Sequence, residues 1–291
     1  LITGIPAGNL MTLRCIAAAR RFDPRAHRPF WIGGQHVGWI READVSMLAR
    51  WPDVFEAGTD GIALSERFDG SVEARSAALG AVIGALAADG KIPGWRDETY
   101  AIRNAFDDAP LAYIERAASR FFGTMTYAVH LNGVVKYADR APHMWIARRS
   151  VTKATDPGML DNVVAGGIGW GLGIAETIVK ECWEEAGIPE SMARNAVAGR
   201  MVHVLQSLAE GTQAEQIFVY DLALAEDFVP HNQDGEVGEH RLARIDEIAR
   251  WIDEGAMTVD ASLATLDCLL RHGWIDEAAC AGMGVLFAPP A

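Results

Sequence analysis

Hydrophobic and polar positions follow two different rhythms along the chain. From Leu10 to Phe22 the sequence is rich in Ala and Arg, which predicts a helix. RPFWIGGQHVGWI then reads as two short strands joined at Gly33-Gly34, because tight hairpin turns need the positive φ that glycine supplies. From Ser71 to Ala88 apolar residues recur at helical spacing, and Asp89-Gly90 stops the pattern. Glu98 to Phe106 is expected to form a strand. Pro110 to Phe122 is expected to form a helix, since proline suits a first helical turn. This mixture predicts a small α+β domain over residues 1–120.

The second rhythm occupies residues 121–291. TMTYAVHLNGVV and HMWIARRS alternate partly between apolar and polar residues and read as strands. A turn containing Thr155, Asp156, Pro157 and Gly158 leads to DNVVAGG, expected as one more short strand. A helix follows from about Ile174 to Ala186, with Gly187 placed to close it. RMVHVLQSL and QIFVYDLALA read as strands. Ile245–Glu254, Val259–His272 and Glu277–Ala281 read as helices. Strands, one helix carrying acids, more strands and final helices predict an α/β domain with its sheet covered by helices.

Composition narrows the partners. Half of the residues are hydrophobic and 22% are charged, enough for a sizeable core in a globular chain. The net charge of −13 argues against nucleic acid and anionic membranes as partners. It leaves anionic small molecules open, because a bound divalent cation reverses the local field. Cys15, Cys182, Cys268 and Cys280 form no CxxC pair and are expected as buried thiols. No apolar run approaches the ~20 residues of a membrane span. The opening LITGIPAGNLM lacks the basic start and long apolar stretch of a secretory signal. Met11 is a candidate start, and a cytoplasmic location is expected.

Chemistry concentrates in AGGIGWGLGIAETIVKECWEEAGI, residues 165–188. On a helix, Glu181, Glu184 and Glu185 lie three and four residues apart and share one face. Clustered carboxylates repel one another and are stabilised by a divalent cation, and hard oxygen donors suit Mg²⁺ or Mn²⁺ rather than zinc. Ile174, Ile178, Cys182 and Ala186 face the opposite way, toward a sheet. The glycines before the helix allow close approach of a ligand, and the helix start favours phosphate oxygens. Taken alone, such acids more often form a solvated face.

The spacing resembles the Nudix family, whose box runs G-x5-E-x7-R-E-U-x-E-E-x-G-U, with U a bulky aliphatic residue. Gly166, Glu181, Glu184, Glu185, Gly187 and Ile188 fill their positions; Lys180 stands for the arginine and Cys182 for an aliphatic residue. Leu172 stands where the box has its first glutamate, and Glu176 is a candidate substitute partner for Lys180. The resemblance implies an α/β/α sandwich with a mixed sheet and a metal-dependent hydrolase of diphosphate linkages. It implies metal ligands Glu181, Glu184 and Glu185, and a proton acceptor among Glu184, Glu185 and the more distant Glu236 and Glu239.

Arg148 and Arg149, with Lys153 in the next loop, are candidate phosphate contacts, and Gly166, Gly167 and Trp170 are further candidate substrate contacts. His130, His143 and His203 read as structural. Segments such as ERAASRFFGTMTYAVHLNGVV and VPHNQDGEVGEHRL resemble Nudix proteins with an extra N-terminal domain, some fused to thiamin pyrophosphokinase. That resemblance implies oxidised thiamin diphosphate as the small-molecule substrate. A nucleoside diphosphate derivative such as ADP-ribose is the alternative. A ligand-binding protein on a degenerate Nudix scaffold, suggested by Leu172, is a third. The N-terminal domain is expected either to close over the substrate or to provide a homodimer contact.

Overall fold

The computed structural model describes residues 14–276 and 282–289. The expected helix Glu277–Ala281, Cys280, and the first residues of the expected Leu10–Phe22 helix lie outside them.

The N-terminal part opens with helix α1 (Arg14–Ala19) and the hairpin β1 (His27–Ile32) and β2 (Gln35–Arg41). Gly33 and Gly34 both carry positive φ, so the turn forms where the glycine pair predicts it. Helix α2 (Glu42–Leu48) and strands β3 (Phe55–Gly58) and β4 (Gly61–Leu64) follow. They complete a four-stranded sheet of order β2-β1-β4-β3, in which β1 and β4 run parallel. Helix α3 (Val72–Ala88) starts on the side-chain cap of Ser71 and packs Leu79, Val82, Ile83 and Leu86 into the core.

Two expectations need correction here. The strand of 98–106 is only β5 (Thr99–Ile102), and the expected helix Pro110–Phe122 is largely not helical. Ala112–Glu115 forms strand β6, paired antiparallel with β5; only α4 (Ser119–Phe122) is α-helical. Local helix propensity loses to cross-strand pairing, which buries Ala112 and Ile114 beside Tyr100 and Ile102.

The larger sheet contains β7 (Met125–Val135), β8 (His143–Arg149), β9 (Leu160–Asn162), β10 (Val164–Gly167), β11 (Val197–Leu208), β12 (Gly211–Leu224) and β13 (Val237–Arg244). Its path is β11-β12-β7-β8-β13, with β10 added to β7 and β9 to β8. The β12–β7 pair is parallel and the other pairs are antiparallel, so the sheet is mixed. DNVVAGG is two strands rather than one. The chain leaves β8 after Asn162 and joins β7 from Val164, which delivers Gly166 and Gly167 to the central strand.

Helices cover both faces. On one, α5 (Ile174–Ala186) buries Ile178, Cys182 and Ala186 against Val129 and Leu131, and the short α6 (Glu190–Ala193) adds Ala193. On the other, α7 (Ile245–Glu254) and α8 (Val259–Arg271) pack with α1 on Val202, Val204, Ile217 and Val219. The result is an α/β/α sandwich preceded by a separate α+β unit. Because β7 is covered from both sides, its residues from Tyr127 to Val135 are all buried. The two parts meet through α4. Gly123 adopts a left-handed conformation where a Cβ would collide with the Trp39 backbone, so the turn out of α4 can lie flat on β2.

Candidate active site

Helix α5 is held by local chemistry at its end. Gly187 is left-handed, and the Gly187 and Ile188 amides donate to Trp183 and Cys182 carbonyls, a Schellman-type close. The same end anchors the loop that leads into β13: the Gln233 amide donates to the Glu184 carbonyl at 2.6 Å and the His231 amide to Ala186 at 3.1 Å. Glu236 at the far side of that loop is thereby brought to the helix. Asp234 caps it by accepting its amide at 2.8 Å.

The three box glutamates do not share one environment. Glu185 is buried, its Oε2 accepting the Ala165 amide at 2.8 Å and its Oε1 standing 3.3 Å from Lys153 Nζ. Burial pushes its carboxyl up to about 8, against the opposing pull of Lys153 and the Ala165 amide. Glu181 is mostly buried under β10. A Cβ at Gly166 would collide with its carboxyl group, which accounts for glycine there. Burial raises this carboxyl too. Glu184 turns outward and pairs with Lys180 Nζ at 2.6 Å; the same ammonium reaches Glu181 at 3.0 Å. Lys180 therefore spends its charge on Glu181 and Glu184 rather than on Glu176, whose carboxylate lies against Gly173.

Lys153 is the central cation. Nearly buried, it pairs with Glu185 and, at short range, with Glu236. Glu236 also faces Arg96 Nη1 at 3.4 Å. Burial would raise Glu236, but Lys153, Arg96 and Arg116 together hold it below the usual glutamate range. Glu236 and Lys153 line an outer cavity of about 470 Å³ with Trp95, Arg96 and Glu98. Glu239, by contrast, is exposed and pairs with Arg148 at 3.5 Å.

The two expected phosphate arginines both make hydrogen bonds within the fold. Arg148 donates to the Gly158 carbonyl at 2.9 Å. Arg149 donates to the Thr155 carbonyl and to Asp161 at 2.7 Å. Neither lines the outer cavity around Lys153, and Arg149 pins the loop that presents Lys153. Gly167 lies against Tyr100, whose hydroxyl a Cβ would strike. Trp170 is partly exposed and packs on Tyr113, 5.1 Å between rings, while its amide donates to Thr99. The residues that composition and spacing missed are Arg96, Tyr100 and Arg116. They come from the β5–β6 region far away in sequence, and no local pattern marks them.

The donor set fits a hard divalent cation. It is made of carboxylates, two of them buried with raised affinity for protons, and no arginine saturates them. Among the described residues, the metal-capable side chains that approach within 4.8 Å of one another are instead Asp221, Cys268 and His272. Arg271 donates to both oxygens of Asp221, at 2.7 and 2.9 Å, so that cluster is already neutralised. His130 Nδ1 donates to Asn162 Oδ1 and His143 Nδ1 to the Ala141 carbonyl, and His203 is buried, in keeping with structural roles.

The fold thus sets an acidic helix on one face of a mixed sheet, beside a glycine-bearing strand and loops that carry cations. Residues 132–262 match the NUDIX domain, and residues 11–126 match a domain of unknown function (DUF4743). The chain is 39% identical over 250 residues to Nudix hydrolase 24, chloroplastic, of Arabidopsis thaliana, covering 85% of this chain and 68% of that protein. It is 38% identical over 257 residues to Nudix hydrolase 20, chloroplastic, of the same plant, with the same coverage. Among solved structures, DR0079 from Deinococcus radiodurans aligns with a TM-score of 0.44 at 22% identity, over 58% of this chain and 99% of that one. The chain belongs to the Nudix hydrolases, enzymes that hydrolyse phosphorus-containing anhydrides. No helix among the described residues is long and apolar enough to cross a membrane.

Proposed function

We propose that this enzyme is a Mg²⁺- or Mn²⁺-dependent diphosphatase acting at the cleft between α5, the Lys153 loop and Glu236. One observation carries the reading: Glu185 and Glu236 converge on Lys153 beside Glu181, at the wall of an open cavity. Glu181, Glu184 and Glu185 would hold the cation, which when bound supplies charge neutralisation at the phosphoryl oxygens. The division of the chain near residue 120 into an α+β domain and a catalytic domain belongs to the same reading.

The protein's own groups do the rest. Lys153 and Arg96 face the cavity and hold the diphosphate by charge. Glu236 lines that cavity, whereas Glu185 is sealed beneath it, so Glu236 is the acid placed to take a proton from water. The water oxygen bonds to phosphorus, the bridging phosphorus–oxygen bond breaks, and the leaving phosphate carries away the electron pair. Charge held fixed around the breaking bond lowers the barrier without reorganisation.

For the substrate, the resemblance of the flanking segments supports an oxidised thiamin diphosphate-like compound. A nucleoside diphosphate derivative such as ADP-ribose is the second class. Profiling with Mg²⁺, comparing oxythiamin diphosphate with ADP-ribose, separates them by kcat/KM. Glu236→Gln tests the chemistry. A fall of at least about a hundredfold in kcat with substrate binding kept is expected, and an unchanged kcat removes the assignment of the base.

A further inference from the structure

A second chamber opens directly beside the outer cavity. It encloses about 380 Å³, and the two share Gly94, Arg96 and Ala154 in their walls. One side comes from the N-terminal unit through Tyr100, Arg116 and Ser119. The other comes from the strand ends of the large sheet through Thr126, Thr212 and Glu215. The volume is within the range of small-molecule pockets.

Three residues in its wall, Ser119, Thr124 and Thr212, carry buried hydroxyls that have no hydrogen-bond partner in the protein. These residues are each no more than 2% exposed. Buried polar groups are nearly always partnered, and an unpartnered one costs about 1–3 kcal/mol. Three around one chamber point to a polar occupant. The charged lining is Lys91, Arg96, Arg116 and Arg120 against Glu210 and Glu215, an excess of positive charge in a chain of net charge −13. That excess favours a neutral or anionic group rich in hydrogen-bonding atoms and disfavours a fixed cation.

We infer that this interdomain chamber holds the organic portion of the diphosphate substrate, and that Thr124 and Thr212 help select it by hydrogen bonding. The inference rests on the diphosphatase reading above and extends it. The domain of unknown function supplies half of the substrate site rather than serving only as an appendage. Arg96 stands at the junction of the two chambers, where a diphosphate lying on Lys153 would pass its ester arm inward.

The test is the double variant Thr124→Val, Thr212→Val, which keeps shape and removes two hydroxyls that bond nothing in the free protein. Thermal unfolding should be unchanged. ADP-ribose and oxythiamin diphosphate are used with Mg²⁺, by steady-state kinetics and by calorimetric titration. For whichever the wild type accepts, KM and Kd should rise roughly tenfold with kcat held within about twofold. Thr124→Ser with Thr212→Ser should restore wild-type values. If the double variant fails to fold, Thr212→Val alone is read in the same way, with a smaller rise.

Unchanged KM and Kd overturn the chamber assignment and leave the diphosphatase reading standing. Binding of a probe by the wild type without its hydrolysis, with affinity still lost in the variant, overturns the diphosphatase reading and leaves the chamber. Absence of wild-type binding to both probes overturns the chamber assignment.

Discussion

Two buried acidic clusters lie on opposite faces of the same sheet, and they are neutralised in different ways. On the α8 face, Asp221 is gripped by both terminal nitrogens of Arg271 and by His272, and Asp267 by Arg200 and Arg271. On the α5 face, Glu185 has one backbone amide and a lysine shared with Glu236. The consequence is opposite titration. Burial would raise Asp221, but Arg271 outweighs it and the carboxyl is lowered. Burial of Glu185 prevails and raises it to about 8. A rigid guanidinium fork locks its partners into the fold, whereas a flexible ammonium leaves carboxylates able to accept another cation. The first cluster is structural and the second is suited to a substrate and its metal.

The largest effect that tests this contrast is catalytic. Glu185→Gln should cut turnover on the order of a hundred- to a thousandfold. Its unfolding midpoint should hold or rise, because Gln has the shape of the neutral carboxyl that burial favours. A variant that keeps its turnover would end the assignment of this cluster to catalysis.

Next comes Arg271→Ala on the other face. Removing one partner from buried acids leaves Asp221 and Asp267 uncompensated, and a loss of about 3 kcal/mol is expected in denaturant unfolding. The protein that remains folded should keep its kcat. A loss of activity at full stability would show that the α8 cluster is not merely structural.

A smaller effect appears in pH dependence without metal. Glu185 is raised from its unfolded value, so its neutral form is favoured in the fold. Its contribution is complete below about pH 4.5 and is lost as pH rises through about 8. Stability of the chelated protein should therefore fall over that window, and Glu185→Gln should flatten the slope. Asp221 is lowered, so its contribution is present above its unfolded value and is lost as pH falls below that range. Titration of unfolding free energy with chelator checks both signs, and Mg²⁺ should abolish the Glu185 slope. A slope that survives Glu185→Gln would assign it to another group.

The contrast also explains what could be read from sequence. Features written in neighbouring residues were legible: the Gly33-Gly34 hairpin, the helix that ends at Asp89-Gly90, the Gly187 helix end and the spacing that placed Glu181 and Glu185 together. What escaped depends on contacts far apart in the chain. Ala112–Glu115 has a helical neighbourhood in sequence but forms a strand because Thr99–Ile102 offers it a partner. Arg148 and Arg149 were candidates for phosphate because basic residues at a strand end look available, yet the loop of 155–161 uses them first. Arg96 and Arg116 carry no local signature, since only folding of β5 and β6 against the sandwich sets them at the cavities.

The smallest expected effect concerns Leu172, the position where the family pattern has glutamate. Leu172 is partly exposed in the loop before α5, its amide donating to the Gly169 carbonyl at 3.3 Å. The cation that such a glutamate would meet on the helix, Lys180, already pairs with Glu181 and Glu184. A new carboxylate there would meet no waiting partner and would add negative charge to an acidic site. Leu172→Glu should therefore change kcat/KM by no more than about threefold and stability by less than about 0.5 kcal/mol. A gain of orders of magnitude from a weakly active parent would reverse the conclusion. It would mean that the α5 cluster is short of one ligand or support, and that this chain keeps the fold chiefly to bind.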